Sequence, residues 1–369
     1  MQGDSMAKRI RSLVVHSMWG KPRGDASGRS PCLAARERLT GTCLPGTSMS
    51  DDPLDDFRNL VSTLPAAEPE AEARTRATFQ RWGAGASRLT GYAARISRIT
   101  GRPPVVNRPS VALFAGTHGI ARRIKPVAQA TDAEAFVAAC GTGHAPVNHL
   151  CSANGFGLKV YDLALDVPTG DMAAEPALDP RGCAATLAFG MEAIAGGTDL
   201  VVVGAARSAG QDAVAAALVT SCVKDGRADE VARGLGGAAW PAVQAAVSLH
   251  GDALHDPLET LRRVGGREFA ALVGAILAAR VERVPVILDG VAALAAASVL
   301  HALAPEAVSH CLLAEAASEA ESLIADHLGL APLLAAGTSA GEGTAGVIAG
   351  SMARDAASLH AGLMAQGRG

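Results

Sequence analysis

The sequence predicts an α/β protein, a parallel sheet covered by helices on both faces, and three observations carry that prediction. Short apolar runs at 111–115, 200–203 and 284–288 have the length and the Val- and Leu-rich character of strands buried on both faces. Alanine-rich or amphipathic stretches of helical length lie between them, as the crossovers of parallel strands require. The composition agrees: the 369 residues are 49% hydrophobic but only 3% aromatic, with 41 glycines, so the core must be built from closely packed Ala, Val, Leu and Ile. That apolar content excludes general disorder and a small disulfide scaffold, and the length leaves room for about two domains.

In chain order, residues 1–48 come first, with eight basic and three acidic side chains in a chain whose formal charge is −3 overall. This segment has neither a sustained period nor the apolar stretch of a secretory signal, so it reads as a disordered leader outside the fold. Met49, followed by Ser50, Asp51 and Asp52, reads as the functional start. Residues 51–101 are helical, with Leu60, Leu64, Phe79, Leu89, Ala93 and Ile96 at mixed three and four spacing. A Pro-rich break at 102–109 precedes the strand 111–115, which runs into Gly116-Thr117-His118-Gly119. A helix between 131 and 140, a strand at 158–166 and a helix at 180–196 follow. The third strand, 200–203, ends at Gly204. Helices at 212–218 and 257–279 lead to the strand 284–288, closed by Asp289-Gly290, and a last helix covers 347–357.

Seven scattered cysteines without C-x-x-C or zinc-finger spacing read as reduced, buried residues. No apolar run is long enough to span a bilayer, so a soluble, cytoplasmic protein without membrane contact is expected. With 33 Lys+Arg against 36 Asp+Glu there is no basic surplus for phosphate-backbone contacts, and nucleic acid is not an expected partner. No Ser/His/Asp arrangement, Walker pattern or metal-ligand spacing occurs, and His144 and His149 lie too far apart for one helical face. Neither a metal nor a cofactor is expected.

In open parallel sheets ligands bind beyond the carboxyl ends of the strands, so the turns after residues 115, 203 and 288 are where function is sought. His118 stands in the first turn, Gly204 with Arg207 and Ser208 in the second, and Asp289-Gly290 in the last. Arg207, Ser208 and the surrounding N–H groups suit a phosphate, although an ordinary strand-to-helix turn gives the same pattern. Gly234-Leu235-Gly236-Gly237 is too generic to interpret alone. Gly341-Glu342-Gly343-Thr344-Ala345-Gly346 spells G-x-G-x-x-G, yet too little chain follows for a βαβ unit, and the reading as a dinucleotide fingerprint is weak. Glu342, just before a helix, either caps that helix or takes a proton from a bound ligand.

The ordered set Arg108-Pro109-Ser110-Val111-Ala112-Leu113-Phe114-Ala115-Gly116-Thr117-His118-Gly119, Gly265-Gly266-Arg267-Glu268-Phe269, Val284-Pro285-Val286-Ile287-Leu288-Asp289-Gly290, Leu328-Gly329-Leu330-Ala331-Pro332-Leu333-Leu334 and Gly341-Glu342-Gly343-Thr344 resembles the nicotinate-nucleotide:dimethylbenzimidazole phosphoribosyltransferase family. Glu175-Pro176-Ala177-Leu178 matches a similar E-P-A-M run. The resemblance spans about residue 51 to the C-terminus. It implies a homodimer in which a Rossmann-like parallel-sheet domain, here 110–320, is joined by a smaller helical domain from both termini, 49–109 and 321–369. It also implies transfer of the phosphoribosyl group of nicotinate mononucleotide to 5,6-dimethylbenzimidazole, giving α-ribazole 5′-phosphate for the cobalamin lower ligand. Glu342 takes the position of the family's catalytic base. His118, Gly204, Arg207, Ser208, Gly236, Asp289, Gly290, Gly341, Gly343 and Thr344 are the expected substrate contacts.

The chain departs from the family pattern at several of these positions. Where the family reads G-E-M-G-I-G-N-T-T, this chain has Gly204-Ala205-Ala206-Arg207-Ser208-Ala209-Gly210-Gln211-Asp212. Thr117 replaces the Asp of F-A-G-D-H-G, and Gly234-Leu235-Gly236-Gly237 stands where the family has G-T-G-L-D. The expectation is therefore an active transferase in which Arg207 supplies a substitute phosphate contact. The alternative is a non-catalytic paralogue that binds nucleotide or benzimidazole, or a regulatory partner of an active homologue.

Overall fold

The computed structural model describes residues 52–83, 87–124, 133–335, 337–338 and 342–366, so the leader and Met49 lie outside the described residues. Five strands form one parallel sheet in the order β2-β1-β3-β4-β5: β1 (Pro109–Ala115), β2 (Gly157–Asp162), β3 (Leu200–Ala205), β4 (Val286–Leu288) and β5 (Cys311–Leu313). The chain goes to one side of β1 for β2 and to the other for β3. That reversal opens a crevice at the carboxyl ends of β1 and β3, where ligands of open α/β sheets bind.

Side chains alternate across a strand, and each face has its own cluster. Ala112 and Phe114 of β1, Val201 and Val203 of β3, and Val286 and Leu288 of β4 face one side. There they meet α6 (Pro180–Met191), α7 (Gln211–Cys222), α10 (Pro257–Val264), α11 (Arg267–Val281) and α12 (Val291–Leu303). Val111, Leu113, Leu200, Val202 and Ile287 face the other side, against α2 (Pro69–Arg81), α3 (Arg88–Thr100), α4 (Ala133–Gly141), α5 (Pro146–Asn154) and α14 (Thr344–Gln366). Helices from both ends of the chain thus pack together; Tyr92 of α3 donates to the Leu333 carbonyl at 3.0 Å. The first helix, α1 (Asp55–Val61), instead joins the opposite cluster through Leu54, Phe57 and Leu60.

Glycine brings α6 and α11 unusually close. A Cβ on Gly274 would lie 1.9 Å from the Leu187 carbonyl oxygen, and one on Gly190 2.0 Å from that of Ala271, so backbone meets backbone there.

The structure corrects several element boundaries. The strand expected at 158–166 stops at Asp162, and the helix expected over 257–279 is two, broken where Gly265-Gly266 intervenes between α10 and α11. The helix expected at 347–357 extends over Thr344–Gln366. Elements beyond the expectation are α5, α8 (Ala228–Gly236), α9 (Trp240–His250), α12, β5 and α13 (Glu319–His327). No helix among the described residues is long and apolar enough to cross a membrane.

Candidate active site

Four strand ends and one helix start converge at the carboxyl edge of the sheet. β1 continues into Gly116 to Gly119, β3 into the loop carrying Arg207 and Ser208, β4 into Asp289-Gly290 and β5 into Ala314-Glu315. Across them lies the start of α14. Gly343 adopts φ +88°, a conformation side chains strain to reach, and a Cβ there would press on Val111 and Val147 at 3.1 Å. At Gly346 a Cβ would come within 2.1 Å of Val202 Cγ1. These two glycines let α14 start directly on β1 and β3, which sets Glu342 above the crevice.

Glu342 is half-buried, and its Oε1 accepts the Arg207 backbone N–H at 3.3 Å. Burial pushes the carboxyl above the ordinary glutamate range, and the N–H and charge of Arg207 only partly offset this. A carboxylate with a raised proton affinity, at the ligand edge and beside a cation, is equipped to accept a proton. The Arg207 guanidinium also faces Asp212 at 3.8 Å, but both side chains are nearly half exposed, so that pair is weak. The Ser208 hydroxyl oxygen is buried and has no hydrogen-bond partner among the described residues.

The other expected site residues divide into cleft and support. Thr344 opens α14, half-buried, with its hydroxyl 3.5 Å from the Thr338 carbonyl. Gly204 lies within β3, paired with Leu113, and Gly290 at φ +86° leads into α12. Gly236 ends α8 and packs on Trp240; it takes part in none of the bonds that join Glu342 and Arg207. Gly341 lies outside the described residues.

His118 and Asp289 turn inward. The His118 imidazole is fully buried, its Nε2 2.6 Å from Oε1 of the equally buried Glu268 at the start of α11. Burial alone would raise the Glu268 carboxyl; the His118 imidazole beside it outweighs this and holds the group below its ordinary value. Gln211 of α7 adds a contact to the same carboxylate at 3.5 Å and donates to the Ala206 carbonyl at 2.9 Å. Asp289, 1% exposed, accepts the Gly346 N–H at 2.8 Å, and burial pushes its carboxyl up to about 6.

Comparison with known proteins shows the family. A family model described as phosphoribosyltransferase matches residues 63–367. The nicotinate-nucleotide–dimethylbenzimidazole phosphoribosyltransferase of Rhizobium meliloti is 47% identical over 328 residues, which cover 86% of this chain and 96% of the relative. The chain belongs to this phosphoribosyltransferase family. The enzyme of that name from Brucella anthropi is 44% identical over 328 residues, with the same coverage of each chain. Among solved structures, the phosphoribosyltransferase of this type from Thermus thermophilus superimposes with a TM-score of 0.67 at 25% identity, over 79% of this chain and 96% of that one. The α/β fold with its parallel sheet is the fold of that family member.

Sequence reasoning about this family member missed the supporting acids. Glu268 stands in a recognisable Gly-Gly-Arg-Glu run, but nothing in that run announces a buried partner for His118. Glu315 follows β5, a three-residue strand too short to register as a pattern, and Glu321 lies in α13 and accepts the Ala317 N–H. Among the described residues no group of three or more His, Cys, Asp or Glu is arranged to hold a metal ion.

Proposed function

We propose that the protein transfers the phosphoribosyl group of nicotinate mononucleotide to 5,6-dimethylbenzimidazole or a related aromatic base, releasing nicotinate and forming α-ribazole 5′-phosphate. The observation that carries the reading is Glu342, a carboxylate of raised proton affinity held by Arg207 over the crevice between β1 and β3. Glu342 removes the ring N–H proton of the benzimidazole. The lone pair of the other ring nitrogen then attacks C1′ of the ribose, and the C1′–N bond to nicotinate breaks, its electron pair leaving with nicotinate. Alignment of nucleophile and leaving group on opposite faces of C1′ supplies much of the acceleration. Arg207 and the N–H groups of its loop are the phosphate contact in this reading, with Ser208 beside them. His118, through Glu268, fixes the β1 turn rather than touching the substrate.

We also infer a homodimer in the cytoplasm, and a division in which α2 and α3 combine with the C-terminal segment as the smaller domain. Incubation of the purified protein with both substrates, with nicotinate release followed by chromatography, tests the activity. Turnover by the wild type, lost in Glu342→Gln, is the expected result; absence of turnover in the wild type contradicts the reading.

A further inference from the structure

The segment that carries Glu342 is bound to the sheet by two carboxylates from neighbouring strand ends. Asp289 follows β4 directly, and its Oδ2 accepts the Gly346 N–H at 2.8 Å in the first turn of α14. The same carboxylate faces the Gly343 N–H. Glu315, two residues beyond β5, accepts the Gly337 N–H through Oε1 at 2.6 Å, and through Oε2 the Thr338 N–H at 2.8 Å and the Thr338 hydroxyl at 2.9 Å. Asp289 and Glu315 are 1% and 3% exposed, so neither faces bulk solvent. Glu315 grips the chain before Glu342 and Asp289 the chain after it.

Burying two acids side by side has a cost that packing alone does not explain. Asp289 and Glu315 repel each other and Glu321 repels both, while a carboxamide or hydroxyl would accept most of the same N–H groups without the charge. What a carboxylate adds is strength: its bonds to backbone N–H groups are charge-assisted, and Asp289, which meets the first turn of α14, also complements the positive end of that helix's dipole. A general base has to be held within a few tenths of an ångström of its proton, and among the described residues Glu342 itself has one hydrogen bond, the 3.3 Å bond from Arg207. Its placement therefore draws on the described backbone anchored nearby, at Gly337 and Thr338 before it and at Gly346 after it.

We propose that Asp289 and Glu315 are positioning residues, a pair of buried carboxylates that clamp the backbone flanking Glu342 and so aim its carboxylate at the acceptor base. This rests on the reading of Glu342 as the base. Neither acid touches substrate; each acts through the main chain. Removing either lets the segment shift without emptying the crevice, so turnover falls while substrate binding stays.

The test combines steady-state kinetics with amide hydrogen exchange on the full chain. In Asp289→Ala and Glu315→Ala, kcat falls by about tenfold or more with KM for nicotinate mononucleotide within about threefold of the wild type, the size expected for a misplaced general base. Asp289→Asn, whose amide oxygen still accepts the Gly346 N–H but without the charge, has a kcat between those of Asp289→Ala and the wild type. Exchange at the Gly346 amide speeds up in Asp289→Ala and at the Gly337 and Thr338 amides in Glu315→Ala, while amides of β1 and β3 keep their protection. Wild-type kcat in both alanine variants overturns the clamp, as does an Asp289→Asn variant no more active than Asp289→Ala. A wild type that makes no product is a different failure, that of the transferase reading, and is separated from the first because it appears before any substitution.

Discussion

At the residue scale, the proposed reading gives chemistry and support to different acids. The spacing around Glu342 left a helix cap and a proton acceptor both open, and its place as the proposed base came from the family resemblance of the Gly341-Glu342-Gly343-Thr344 run. Asp289 and His118 were legible as residues at strand ends, but the direction of their side chains depends on α14 and α11, which approach from distant parts of the chain. If Glu342 is the base, it must be ionised to act, so kcat/KM rises with pH through its proton dissociation. Because burial raises that group, the acid limb of the pH profile lies above the ordinary glutamate value. Arg207→Ala removes an influence that lowers it, so the limb moves further up; a limb that stays put or moves down contradicts the assignment. Asp289 gives a stability prediction of definite sign. Its carboxyl dissociates near 6 in the fold against 3.8 as the reference, so the unfolded chain releases its proton first and stability falls as pH rises across that window. The difference corresponds to about 3 kcal/mol, and Asp289→Asn removes the dependence. The melting temperature of Asp289→Asn relative to wild type should therefore be higher at pH 8 than at pH 4, as calorimetry at the two values would record.

At the element scale, strands buried on both faces stood out in the sequence because their neighbours are polar turns or glycines. The strongest cases are β1 and β3, seven and six residues of continuous burial. The elements left unread have physical reasons for their silence. α12 is apolar around almost its whole circumference, buried from Ala292 to Leu300, so it has no polar face to set a period. α8 and α13 are nine residues each, short enough to be taken for connecting chain. The Gly265-Gly266 pair was visible, but that it separates two helices follows from packing: a Cβ on Gly265 would lie 2.2 Å from the Leu261 carbonyl and one on Gly266 2.5 Å from the His118 ring. The α6–α11 contact yields a prediction at this scale. Gly274→Ala inserts a methyl where the Leu187 carbonyl lies 1.9 Å away, and the two helices must separate. Overpacking of this kind costs about 1–3 kcal/mol, more than the helix propensity alanine gains, so the melting temperature drops by several degrees in a thermal scan. An unchanged or higher melting temperature would mean that the helices part without cost.

At the scale of the whole molecule, the mild charge of −3 is the sum of a basic leader and an acidic body. The family match begins at residue 63, and the described sheet and Glu342 belong to that body. A chain beginning at Met49 should keep the melting temperature and turnover of the full chain, and a loss of either would give the leader a part in the fold. The aromatic-poor, glycine-rich composition now has a use on both sides of the sheet: Gly190 and Gly274 bring two covering helices into backbone contact, and Gly343 and Gly346 seat the site-bearing helix on β1 and β3. The central claim is that this seat holds a catalytic base for phosphoribosyl transfer. The measurement that tests it most directly is nicotinate release from nicotinate mononucleotide in the presence of 5,6-dimethylbenzimidazole, by wild type and by Glu342→Gln in parallel. The account predicts turnover by the wild type and a loss of about a hundredfold or more in the variant, the size typical of a removed general base; equal rates in the two, or no release from the wild type, would contradict it.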